Sequence, residues 1–141
     1  MFKDILVPVN ISDESTWKKQ METAIELAQQ CDATLHIMTV IPGFDYPLVS
    51  SFFPPDFEQK ARDQAAKDLH AFMAKHIPSG IRTQAIVSEG AIYEQILGIA
   101  EENHCDLILM NRTGSQRRQF MLGSNAVKVL QHTRIAVLVV D

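Results

Sequence analysis

Leu107-Ile108-Leu109-Met110-Asn111-Arg112-Thr113-Gly114-Ser115-Gln116-Arg117-Arg118-Gln119-Phe120-Met121-Leu122-Gly123-Ser124-Asn125-Ala126 reads as a strand, a loop and the start of a helix. The apolar run at its head suits a strand buried on both faces. Arg112, Arg117 and Arg118 follow with no acid among them, in a chain whose formal net charge is −4. Gly114 and Gly123, with eight residues between them, let the backbone turn and come close to a ligand. A strand, a Gly/Arg loop and a helix N-terminus, in that order, make a phosphate-binding site.

Outward from this stretch, short apolar runs alternate with amphipathic ones. Ile5-Leu6-Val7-Pro8-Val9 is the first run, and Ser12-Asp13-Glu14-Ser15 starts a helix, with Ser12 or Asp13 as N-cap and acids in the first turn. Trp17, Met21, Ala24, Ile25 and Ala28 recur at helical spacing and predict a buried stripe that ends near Gln30-Cys31. Thr34 to Ile41 is the second run, stopped by Pro42-Gly43. Residues 43–55, with Pro47, Pro54 and Pro55, read as an irregular loop. Phe57, Ala61, Ala65, Leu69, Phe72 and Met73 mark a second helix, ended by Pro78 and Gly80. Arg82 to Val87 is a third strand and Ser88-Glu89-Gly90 a turn. Ile92, Ile96, Leu97 and Ala100 give a third helix its inner face, before a fourth strand from Asp106 to Met110. Ala126, Val127 and Leu130 mark a fourth helix, ending near His132-Thr133, and Ile135 to Val140 is the last strand.

Such alternation predicts an α/β domain over residues 1–141, a doubly wound five-stranded parallel sheet with helices on both faces. Crossovers are expected to be right-handed. With the strand order 3-2-1-4-5, a ligand site lies outside the carboxyl ends of strands one and four, where the order reverses. Pro8-Val9-Asn10 and Asn111-Arg112-Thr113-Gly114 meet there, with Val40-Ile41-Pro42 as an apolar wall.

Composition sets outer limits. At 46% hydrophobic and 21% charged, the 141 residues are those of an ordinary globular protein able to bury a core without disulfides or metal. The acidic balance argues against nucleic acid as a partner. No basic and apolar leader opens the sequence, and no apolar run is long enough to span a membrane, so a cytoplasmic location is expected. Cys31 and Cys105 are then reduced thiols.

These residues resemble the universal stress protein family over essentially the whole chain. The resemblance rests on the Ile5-Leu6-Val7-Pro8-Val9 start, Thr39-Val40-Ile41-Pro42, Glu89-Gly90 with Ile96-Leu97 and Ala100, and Asp106-Leu107-Ile108. Leu122-Gly123-Ser124-Asn125-Ala126 and Ala136-Val137-Leu138-Val139-Val140 complete it, and the Leu-Gly-Ser-Asn-Ala string looks most like the F/G-type branch. The resemblance implies an adenine-nucleotide-binding stress protein, taking ATP or AMP, and Mg²⁺ is an open candidate beside the phosphates. In ATP-binding members a glycine, two residues, a second glycine and nine residues precede Gly-Ser or Gly-Thr. Gly114, Gly123 and Ser124 match by position, and Asn125 would add the next backbone N–H. The resemblance places Pro8, Val9 and Asn10 at the adenine, the Val40 backbone at its edge and Met110 near the sugar or base. It also implies a homodimer through the terminal strand, with higher assembly open. Asn111 stands where the pattern has its first glycine, the second gap is eight, and Asn10 replaces the usual acid. The Asn10 side-chain oxygen can accept from the adenine amine but supplies no charge.

Each candidate has a plainer reading beside it. The three arginines suit phosphates or a solvated loop, and Arg117 or Arg118 equally suits acids across a dimer interface. Asp13 and Glu14 follow strand one and could hold Mg²⁺, but acids in a first turn are more simply a helix start. His36 reads as a satisfied histidine against a helix, and His132 as a partner of a helix C-terminus. His104-Cys105 has no second ligand pair to complete a zinc site. Phe44, Tyr46, Phe52 and Phe53 make the 43–55 loop a lid or contact surface. Neither a nucleophile–base–orienter set nor a Walker A or G-x-G-x-x-G motif occurs, which favours binding over turnover. A dimeric scaffold without nucleotide and a slow ATPase are the rival readings.

Overall fold

Aliphatic and β-branched runs fold here as strands, and stretches with apolar residues at 3.6-residue spacing as helices. The computed structural model describes residues 1–41, 56–112 and 122–141. In chain order the elements are β1 (Asp4–Pro8), α1 (Glu14–Cys31), β2 (Thr34–Ile41), α2 (Phe57–His76), β3 (Thr83–Glu89), α3 (Ile92–Glu102), β4 (Leu107–Asn111), α4 (Ser124–His132) and β5 (Ala136–Val140). They form a five-stranded sheet in the order β3-β2-β1-β4-β5, parallel at every pairing, as the alternation predicts. The 43–55 loop and the residues from Thr113 to Met121, including Gly114, Arg117 and Arg118, lie outside the described residues.

Period-two alternation divides the core between the two faces of the sheet. Ile5, Val7, Leu35, Ile37, Leu107 and Leu109 face Met21 and Ala24 of α1 and Leu69 and Phe72 of α2. Leu6, Met38, Ile108 and Met110 face Ile96 and Ala100 of α3 and Ala126 and Val129 of α4. Truncating one of these fully buried leucines to alanine costs about 2–5 kcal/mol, a large share of a small domain's stability.

Register decides where the sheet opens. β1 pairs with β2 from Asp4↔Thr34 through Pro8↔Met38. With β4 it shares Ile5↔Leu107 and Leu6↔Ile108, and beyond that the strands part. Below the split, the Asp106 carboxylate accepts from Lys3 N–H (2.9 Å) and Asp4 N–H (3.1 Å), while Asp106 N–H donates to the Asp4 carbonyl (2.9 Å). The two strands are therefore tied at their amino ends and open at their carboxyl ends.

Four details differ from the sequence reading. β3 runs on through Ser88 and Glu89, because these pair with Val40 and Ile41 of β2. The turn falls on Gly90, whose φ of 132° suits glycine and whose N–H donates to the Ile41 carbonyl (3.1 Å). The buried stripe of α1 is Thr16, Gln20, Met21, Ala24 and Ala28, with Trp17 and Ile25 at its margin. In α4, Val129 turns inward with Ala126, and Leu130 is 43% exposed. His36 is satisfied, but by strands rather than a helix: Nε2 lies 2.9 Å from Asp4 Oδ1 and Nδ1 2.5 Å from Gln84 Oε1.

Candidate functional site

The split between β1 and β4 opens into a cleft of about 390 Å³, within the range of small-molecule sites. Pro8, Val9 and Asn10 line it from the end of β1, and Met110 and Asn111 from the end of β4. Met38, Thr39 and Val40 supply the β2 wall, with Ile92 and Ile96 of α3 beside them. Gly123, Ser124, Asn125 and Ala126 bring in the start of α4, and Thr16 and Gln20 of α1 close the remaining side. Segments far apart in sequence meet here because the strand order reverses between β1 and β4. Most of the residues singled out from sequence therefore share one cleft. Gly114 lies outside the described residues, and Arg112 is not part of the described lining.

Arg112 acts through its backbone. Its N–H donates to the Val140 carbonyl (2.7 Å), and its own carbonyl accepts from Gly123 N–H (2.7 Å). These bonds fasten the end of β4 to the end of β5 and to the residue before α4. The helix start is thereby tied to the cleft end of β4.

The start of α4 has an unusual balance of donors and acceptors. Gly123 is its N-cap, with no side-chain cap bond and no acid in the first turn. By contrast, α1 is capped by Asp13, whose Oδ1 accepts from Ser15 N–H (3.1 Å) and Ser15 Oγ–H (2.6 Å). α2 and α3 also lack side-chain caps, but each carries an acid in its first turn, Glu58 and Glu94. Among the described helices, α4 alone presents both first-turn N–H groups and the positive dipole end without an acid of its own.

Asn10 differs from the sequence reading. Its Oδ1 accepts from Ser12 N–H (3.3 Å) and Ser12 Oγ–H (2.6 Å). A short polar side chain at a strand end closes an Asx turn more readily than it reaches across a cleft. The oxygen that the sequence reading offered to an adenine amine is thus committed to the turn, and the amide nitrogen remains for a ligand.

Gln20 was not singled out from sequence. It sits four residues after Thr16 and four before Ala24, on the same stripe, and is 1% exposed. Its Nε2 donates to the Pro8 carbonyl (2.6 Å) and the Leu109 carbonyl (2.9 Å), across the gap where β1 and β4 part. The sequence signal was a long polar residue on an apolar stripe, which must find a buried partner.

No side chain in the described lining is an acid, a base or a thiol. Among the described residues no cluster of His, Cys, Asp and Glu is arranged to hold a metal ion. Asp13 is occupied as a helix cap, and His132 Nδ1 lies 2.7 Å from the Lys128 carbonyl in the last turn of α4. Cys105 is buried away from the cleft, and burial, with Asp4 and Asp106 nearby, pushes its thiol up to about 12. The cleft thus offers apolar walls, amide and hydroxyl groups and a helix N-terminus.

The universal stress protein family model matches residues 1–141. Universal stress protein G of Salmonella typhimurium (strain LT2) is 30% identical over 145 residues, covering 99% of both chains. The solved structure of hypothetical protein MJ0577 superposes with a TM-score of 0.82 at 23% identity, over 99% of this chain and 96% of that one. A universal stress protein from Archaeoglobus fulgidus, solved in complex with dAMP, superposes at 0.67 with 15% identity, over 99% of this chain and 98% of its own. Another universal stress protein, in complex with cAMP, superposes at 0.61 with 20% identity, over 99% of this chain and 97% of its own. At these identities the structures speak for the fold. Sequence likeness from end to end, on a sheet of the same architecture, places this chain in the universal stress protein family.

Proposed function

We propose that the cleft binds an adenine nucleotide, ATP or AMP, as a regulatory ligand of a cytoplasmic stress protein. One observation carries the reading: the α4 start, free of cap and acid, stands in the wall of a cleft at the switch point. An anion there gains hydrogen bonds from backbone N–H groups and the helix dipole together. Gly123, Ser124 and Asn125 take the phosphate, and Arg112 holds the helix start in place through its backbone. Val9, Val40 and Met110 give the base its apolar surroundings, and Pro8 and Asn10 close the β1 side. The complexes of family members with dAMP and cAMP support the choice of an adenine nucleotide.

Regulation fits better than turnover, because no titratable side chain of the described lining is within reach of a ligand as general acid or base. Mg²⁺ would enter with the phosphates of ATP rather than on a protein cage. The exposed edge of β5, where Leu138 is 36% exposed, supports assembly as a homodimer by edge pairing, with higher oligomers built from it.

The test is direct. Protein purified without added nucleotide is denatured and its supernatant examined for ATP or AMP, and the refolded protein is titrated with each, with and without Mg²⁺. Binding of AMP or ATP supports the reading. Absence of binding to both overturns it and leaves the dimeric scaffold, for which light scattering at micromolar concentration gives the assembly state.

A further inference from the structure

Gln20 is a buried amide whose two ends have different duties. Both Nε2 hydrogens are used, on the Pro8 carbonyl at 2.6 Å and the Leu109 carbonyl at 2.9 Å. Because both partners are carbonyl oxygens, the amide cannot be turned over: the flipped form would set Oε1 against two acceptors. Oε1 accepts no hydrogen bond among the described residues. Gln20 lines the cleft, and with Nε2 committed to the two carbonyls Oε1 is the polar group it offers there. A residue 1% exposed thus holds one fixed acceptor at the floor of the site.

Resting on the nucleotide reading above, we infer that Gln20 is a specificity-determining residue of the cleft. Its locked Oε1 selects ligands that bring an N–H or O–H donor to the floor between β1 and β4. A site built to pair a ligand donor rejects the analogue lacking it, because the protein acceptor is then desolvated and left unpaired. Asn10 Oδ1 does not duplicate the role, since it is occupied by Ser12. The ligand donor is either the exocyclic amine of the base or the ribose 2′-hydroxyl. AMP, IMP and 2′-deoxy-AMP separate the two: IMP carries a carbonyl oxygen in place of the amine, and 2′-deoxy-AMP lacks one hydroxyl.

Calorimetric titration of the wild-type protein with the three nucleotides, repeated on Gln20→Met, tests the inference. Methionine fills similar volume but offers neither the donors nor the oxygen. In the wild type, one analogue binds on the order of tenfold more weakly than AMP, and which one identifies the donor. In Gln20→Met that analogue and AMP bind within about twofold of each other. A change of folding alone would lower all affinities together and leave their ratio intact. An unchanged ratio in a folded Gln20→Met, or equal wild-type affinity for all three, overturns the role of Gln20 while leaving the nucleotide reading standing. Failure of all three to bind wild type overturns both. A second measurement needs no variant: the Gln20 side-chain amide signal in ¹⁵N-labelled wild type should shift on saturation with AMP, and a signal that does not move overturns the inference.

Discussion

Two helices begin at the carboxyl end of this sheet on opposite terms. α1 starts at Asp13, whose carboxylate bonds Ser15, with Glu14 in its first turn. α4 starts at Gly123 with neither a side-chain cap nor an acid, and it lines the cleft. The positive pole that α1 neutralises with its own side chains stands without an acid at α4, where the proposed nucleotide would place its phosphate. On that proposal the same backbone physics serves stability in one helix and recognition in the other, and single residues at the cap make the difference.

The comparison breaks most sharply if α4 is given the start of α1. Gly123→Asp places a carboxylate on the orphan N–H groups and against any bound phosphate. Two like charges about 4 Å apart repel by about 4 kcal/mol near a protein surface. AMP affinity measured by calorimetry should therefore fall on the order of a hundredfold or more, while stability rises by a few tenths of a kcal/mol. Lost affinity together with lost fold would mean that Gly123 serves architecture instead.

The converse change is smaller and goes the other way. Asp13→Ala removes a cap from α1 and should destabilise the protein by about 1 kcal/mol in urea unfolding. AMP affinity should move by less than about twofold, because Asp13 answers only to its own helix. A large loss of affinity would return Asp13 to the candidate Mg²⁺ ligands.

The smallest effect concerns the buried thiol. Its folded value, raised to about 12 from an ordinary 9.0, means that the unfolded chain loses this proton first. The stabilising contribution is whole below about pH 9 and fades as pH climbs toward about 12. Cys105→Ala should therefore flatten the decline of Tm measured from about pH 8 to about pH 10. In the folded wild type, maleimide should label the partly exposed Cys31 and spare Cys105. Rapid labelling of Cys105 would show that the β4 end of the sheet opens readily.

The strands were legible because short apolar runs such as Ile5 to Val7 and Leu107 to Met110, bounded by helix and turn signals, suit burial on both faces, and the doubly wound arrangement supplied their order. Element ends were less so. β3 extends through Glu89 because β2 offers partners to Ser88 and Glu89, a tertiary effect that a Ser-Glu-Gly turn signal hides. The cleft was legible in its strand ends and in the Gly123-Ser124-Asn125 helix start, since topology alone brings them together. Gln20 was not, because a glutamine on a helix usually faces water and only the gap between β1 and β4 turns it inward. The Asn10 oxygen was assigned across the cleft, whereas a local bond to Ser12 takes it. Long-range architecture followed from patterning, and polar detail from which partner happened to be nearest.

The central claim is that the α4 start holds the phosphate of an adenine nucleotide. Titrating the wild-type protein with AMP and with adenosine isolates that group. The account predicts that AMP binds at least about tenfold more tightly, with the advantage shrinking as salt rises. Equal affinity for the two, or binding of neither, would contradict it.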